Sequence, residues 1–120
     1  MYYKRVSEYV STKNVGDKTI IRKYSVVKSE VNIFNGGENV EVPSYGIEIS
    51  EQVFVNNVVQ KEFGDVVAHI SPYHDKVEDI AKLLRDKDLS PLHLSDIIDD
   101  VYYIYIADYD EYAKECRIAI

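Results

Sequence analysis

The sequence holds one cysteine, Cys116, among 120 residues. No internal disulfide can form from it, so a reducing, cytoplasmic setting is expected. Long apolar runs are missing too. None reaches the ~18 residues a membrane-spanning helix needs, so no membrane association is expected. The opening MYYKRVSEYV has neither an apolar signal core nor a small-residue cleavage site, and no secretory signal is read there. Positive charge is in short supply, with 14 Lys and Arg against 21 Asp and Glu. Residues 1–35 carry the only cationic excess, through Lys4, Arg5, Lys13, Lys18, Arg22, Lys23 and Lys28. On strand-rich sequence these read as the solvated face of a sheet, and nucleic acid is not an expected partner.

Catalytic signatures are also lacking. There is no GxSxG elbow, no HExxH, and no glycine loop followed by Lys-Ser or Lys-Thr. The glycines of NGGENVE (35–41) suit a hairpin better than a phosphate site. Cys116 sits between Glu115 and Arg117 with no histidine nearby in sequence, so nothing activates it as a nucleophile. No catalytic residue, cofactor or metal is expected.

What the chain does have is strand composition. The first seventy residues are rich in Val, Ile, Tyr and Thr, punctuated by Gly, Asn and Pro. Strands are predicted at Tyr2–Ser11, Thr19–Lys28, Val31–Phe34, Val40–Val42, Tyr45–Ser50, Val53–Val55, Val58–Phe63 and Val66–Ile70. Gly16-Asp17, Asn35-Gly36-Gly37 and Asn56-Asn57 read as tight turns, since Gly and Asn tolerate positive φ. A two-residue turn at Asn56-Asn57 would put Glu51 and Glu62 on the face of Ile49 and Val55. A bulge near Glu51-Gln52 or a longer loop is therefore expected.

After Ile70 the period changes. Val77, Ile80, Ala81 and Leu84 mark one helical stripe, and Leu94, Ile97, Ile98 and Val101 repeat it. The fold class is α+β: an N-terminal antiparallel β-sheet, roughly residues 2–70, then a C-terminal helical hairpin packed on one face, all in a single domain 1–120. ISPYH (70–74) and LSPLH (89–93) both read as helix starts, with Ser71 and Ser90 as N-caps and Pro72 and Pro91 at the first helical position. In SPLHLSDIIDD (90–100), His93, Asp96, Asp99 and Asp100 then fall opposite the apolar stripe, facing water. His93 and Asp96 supply too few donors for zinc. The natural third donors, His74 and His69, lie beyond the far end of an antiparallel helix.

VYYIYIADYDEY (101–112) reads equally as a strand or as more helix. Either way it carries more apolar surface than one face buries. The surplus either packs under the sheet of the same chain or forms an interface, for which Tyr102, Tyr103, Tyr105, Ile106, Tyr109 and Tyr112 are the candidates, with a protein partner or a homo-oligomer. His69, Tyr73 and His74 are the candidate pocket at the sheet-to-helix junction.

SYGIEIS (44–50) and ISPYHDKVEDIAKLLRDKDLSPLHLSDIIDD (70–100) resemble a small uncharacterised family of proteins from clostridia and related Gram-positive bacteria. There a YGIEI-like strand precedes a helix, and an SPxHL-like helix start follows. The resemblance spans roughly residues 20–100 and implies a bacterial, intracellular, single-domain protein with no assigned activity. The glycine loop at 35–39 and the tail beyond 101 depart from it. The function expected is a non-enzymatic protein-interaction or regulatory domain. The alternative is a small-ligand-binding protein or enzyme with its pocket at the junction.

Overall fold

Three two-residue turns organise the sheet, and each is written in its residue types. Asn56 and Asn57 have φ of 51° and 64°, and Gly36 and Gly37 have φ of 63° and 86°, the paired positive values of a hairpin turn that matches strand twist. Gly16 takes φ 63° at the remaining turn. A computed structural model describes residues 3–118, with the side chains of 100–106, 117 and 118 outside the described set. The turns join β1 (Lys4–Val15), β2 (Lys18–Asn35), β3 (Glu38–Val55) and β4 (Val58–Ser71) into one antiparallel meander. Then come α1 (His74–Asp86), a 3-10 turn (Pro91–His93) and α2 (Leu94–Ile118). Strands followed by helices make this an α+β fold.

The strands are longer than the eight predicted segments. Thr19–Lys28 and Val31–Phe34 are one strand, and the three segments from Val40 to Val55 are another. At ~3.3 Å per residue an eighteen-residue strand spans roughly 60 Å, which accounts for the 58 × 24 × 19 Å shape. The β2–β3 ladder runs unbroken from Lys18↔Val55 to Asn35↔Glu38. Side chains therefore alternate strictly between its two faces along its whole length.

That alternation reveals two cores. Near the root, Tyr24, Val26, Ile47 and Ile49 are buried on one face under Val77, Ala81 and Leu84 of α1, with Leu94 and Ile98 of α2 and Ile70 completing the cluster. Toward the tip, Val31, Ile33, Val40 and Val42 have the opposite parity. They pack against Tyr109, Tyr112 and Ala113 of α2. So α2 starts with the root core, runs along edge strand β4, and ends under the other face of the ribbon. This differs from helices packed on one face only, and the reason is that the buried parity of the ribbon itself switches.

Gly46 lies at the switch. On β4, Ala68, His69 and Ile70 lie opposite Gly46 alone, a bulge between the pairs Tyr45↔Ser71 and Ile47↔Val67. A Cβ on Gly46 would sit 2.1 Å from the Val67 carbonyl oxygen and 2.4 Å from the Ala68 carbonyl carbon. The second irregularity falls between Val53 and Phe54, where Gln60 of β4 is the extra residue, not at Glu51-Gln52. Glu51 does share the face of Ile49 and is only 5 % exposed. Its partner is Arg22, whose Nε lies 2.6 Å from Oε1. A buried carboxylate without such a partner would be costly, so the acid that disturbed the predicted register is half of an ion pair.

The same Arg22 closes α1. Leu89 N–H donates to Leu84 O and Asp88 N–H to Arg85 O, at 3.1 and 3.0 Å, with Asp88 at φ 53°. This left-handed helix stop normally prefers glycine. Here the Asp88 carboxylate accepts from Ser11 at 2.8 Å and pairs with Arg22 at 3.2 Å.

The helix starts only half follow their echo. Ser90 caps as predicted, accepting from Leu92 N–H at 3.3 Å with Pro91 next, but what it starts is the 3-10 turn. Ser71 accepts from Tyr73 N–H at 3.2 Å, and α1 begins only at His74 with Tyr73 as its N-cap. His93, Asp96 and Asp99 are exposed, while Leu94 and Ile98 are buried. Residues 101–112 are helix, a continuation of α2. Among the described residues no helix is long and apolar enough to cross a membrane.

Candidate functional site

Where β4 hands over to α1, four elements meet. Pro72 and the Ser71-to-Tyr73 turn swing the chain off the sheet and aim Tyr73, His74 and Lys76 across the ribbon. Pro43 and Tyr45 share one face of β3, two residues apart. Tyr112 of α2 closes the opposite side. Together these residues and Asp75 line an open groove of about 500 Å³.

Its walls are aromatic. Tyr73 and Tyr112 meet edge to face at 5.7 Å and 67°, and Tyr45 and His74 are tilted at 5.0 Å and 48°. Both are favourable ring arrangements. Lysines sit over two of the rings: Lys76 Nζ lies 5.1 Å from Tyr73 and Lys28 Nζ 5.9 Å from Tyr45. Asp108, 7 % exposed, ties the groove together. Its Oδ2 accepts from Lys76 Nζ and Ser71 Oγ, each at 2.9 Å, linking α2 to α1 and to the end of β4. Burial raises the phenols of Tyr73 and Tyr112 above their ordinary range. Glu115, Glu111 and Asp108 then add to the shift on Tyr73, as do Cys116, Tyr45, Glu115 and Glu30 on Tyr112. Both hydroxyls are therefore proton-bearing donors at neutral pH.

Behind the groove, His74 Nε2 lies 2.6 Å from Glu78 Oε2, one helical turn on. Glu78 is 9 % exposed and also accepts from Ser7 Oγ, at 2.8 and 2.7 Å to its two oxygens, and from the Tyr9 hydroxyl. Burial pushes the Glu78 carboxyl up. Hydrogen bonds from Tyr9, Ser7 and His74 outweigh it, and the group ends below the ordinary carboxylate range. Sequence periodicity placed Val77, Ala81 and Leu84 correctly but gave no sign that Glu78 shares their burial.

Of the predicted pocket residues, Tyr73 and His74 line the groove and His69 does not. His69 belongs to the β4 bulge, where its Nδ1 lies 2.7 Å from Ser44 Oγ. Ser44 Oγ in turn lies 2.8 Å from the Tyr109 hydroxyl. Burial lowers the pKa of His69, so it sits there as neutral imidazole. Ser44 is fully buried, which keeps this Ser–His contact away from any substrate. Of the predicted interface residues, Tyr112 reaches the groove and Tyr109 is buried in the second core. The side chains of Tyr102, Tyr103, Tyr105 and Ile106 lie outside the described residues. Tyr45, Pro43 and Asp108 were not anticipated, although the shared strand face of Pro43 and Tyr45 was available from their spacing.

A model described as "Family of unknown function (DUF6514)" matches residues 3–103. That range takes in the whole sheet, Tyr45, Tyr73 and His74, and stops short of Tyr112. No curated protein matches the chain, and no solved structure does.

Proposed function

The chain belongs to that family of unknown function, and from its own geometry we propose that it is a non-enzymatic protein-interaction domain. In this reading it holds an extended segment of a partner in the groove between Tyr45, Tyr73 and Tyr112. The form of the groove carries the reading. It is an open trough whose described lining is three tyrosines and two prolines, with His74, Asp75 and Lys76 beside them. A small-molecule site encloses most of its ligand, which a trough does not do. A peptide lying along it would cover the ring faces while the phenol hydroxyls bond its backbone. α1 and α2 then act as an antiparallel hairpin whose open end, held by Lys76 and Asp108, forms one wall. A cytoplasmic, reducing setting fits the lone, unbridged Cys116.

Selection of random linear peptides on the purified protein tests this. The enriched peptides are expected to bind wild type and to lose tenfold or more in affinity for Tyr73→Ala and Tyr112→Ser variants whose circular dichroism is unchanged. Peptides indifferent to both substitutions would overturn the reading, as would a selection that enriches nothing. Sedimentation at high micromolar concentration separates the case in which the partner is a second copy.

A further inference from the structure

Resting on that interaction reading, we infer that the groove selects a basic, proline-containing segment in the polyproline II conformation. Charge is the first argument. Glu30, Asp108, Glu111 and Glu115 lie close enough to Tyr73 and Tyr112 to act on their phenols, and Asp75 lines the rim. Asp108 is already paired with Lys76. Glu30, Asp75, Glu111 and Glu115 are all exposed, against Lys28 and the already paired Lys76 on the cationic side, so the surroundings of the aromatic floor carry an excess of carboxylates. Arginine and lysine suit both parts, pairing with the carboxylates and stacking on tyrosine rings. Lys76 and Lys28 already sit over the Tyr73 and Tyr45 rings, so an incoming arginine there would have to displace them.

Backbone chemistry is the second argument. A polyproline II segment has no internal hydrogen bonds and leaves its carbonyls free. The Tyr73 and Tyr112 hydroxyls, kept protonated, are donors for them. Tyrosine-walled grooves hold pyrrolidine rings by apolar contact at low entropic cost, since the segment is already extended. Strand addition is the competing mode, but Pro43 removes a backbone donor from this stretch of β3.

Three synthetic peptides test the inference by amide chemical-shift mapping on the intact chain. One alternates prolines with arginines, a second replaces the arginines by glutamates, and a third replaces the prolines by alanines. The arginine–proline peptide is expected to shift the amides of Tyr45, Tyr73 and Tyr112. Its affinity should fall several-fold in the Glu111→Lys, Glu115→Lys double variant, and again as salt is raised from about 0.05 to about 0.5 M, where screening tightens. Equal binding of the glutamate peptide or of the alanine peptide at the groove would overturn this inference and leave the interaction reading standing. If none of the three reaches the groove, the inference falls, and the peptide selection described above decides the broader reading separately.

Discussion

In the β2–β3 ribbon, the even-numbered Tyr24 and Val26 of β2 enter the root core, while the odd-numbered Val31 and Ile33 pack, half-buried, against the tip core. The two halves share one hydrogen-bonded ladder without a register shift. They differ in what covers them. The root has Tyr24, Val26, Ile47 and Ile49 closed in by both helices, whereas the tip has Val42 closed in by a short stretch of α2 around Tyr109 and Ala113. A long twisted strand pair can thus serve two cores, one on each face, if one helix passes its edge. The groove described above lies beside the place where the faces exchange.

The largest expected effect falls at that exchange. Gly46→Ala puts a Cβ 2.1 Å from a backbone oxygen of β4, where no flexible side-chain end can yield. The bulge carrying His69 must move, and both cores are expected to loosen together. Loss of the cooperative thermal transition would show it. If the variant melted like wild type, the tight approach of β4 to β3 would be wrong.

Next comes the direct contrast of the halves. Ile47→Ala in the root is expected to cost about 2–5 kcal/mol, because the buried site is hemmed in and collapses poorly. Val42→Ala in the tip removes two methyl groups, about 1.5 kcal/mol at roughly 0.8 per buried carbon. More telling than size is reach. Ile47→Ala should lower hydrogen-exchange protection throughout the sheet, and Val42→Ala only between about residues 29 and 44, as expected when one unit opens below the global free energy. Identical exchange maps for the two variants would mean a single core.

Much of this was legible in local sequence and some was not, for a physical reason. The turns at Gly16, Gly36-Gly37 and Asn56-Asn57 were readable because positive φ depends on the residue itself. The stripes of α1 and of early α2 were readable because helical period is local. Strand length was not. The apolar phase changes between Val26 and Val31, and again between Val42 and Tyr45. Those changes looked like strand ends when they are the ribbon exchanging its buried face. Ser44 and Glu51 looked like breaks as well, since their partners His69, Tyr109 and Arg22 are distant in sequence. Half of the groove failed to announce itself for the same reason: Tyr45 and Tyr112 meet only in the fold.

Acid separates the halves by pH. His69, at the exchange, has its folded pKa lowered by burial. The unfolded chain therefore binds more protons, so stability is full above the unfolded value of about 6.5 and is lost as pH falls from there through the folded value. Glu78, in the root, has its folded pKa below the ordinary carboxylate value of 4.5, so its share persists until the solution is more acidic than that. Exchange protection of Val31 and Val42 should decline first as pH falls through the histidine range, with Ile47 following only in the carboxylate range. His69→Gln should flatten the first step. A single concerted loss in the carboxylate range would sink the assignment.

The smallest effect concerns Ser29, which faces Ser44 across the ladder in the stretch where the buried parity changes. Its hydroxyl is buried without a hydrogen-bond partner among the described residues. An unmet buried hydroxyl costs about 1–3 kcal/mol, and removing it with little change in volume recovers part of that. Ser29→Ala is therefore expected to raise the denaturation midpoint slightly, or to leave it unchanged, while Ser44→Ala lowers it by removing the hydrogen bonds through which Ser44 joins His69 and Tyr109. Two serines, paired across one ladder and both buried, would then respond with opposite signs. A fall for Ser29→Ala as large as that for Ser44→Ala would mean that the hydroxyl of Ser29 has found a partner and that the exchange region is held by a wider polar network.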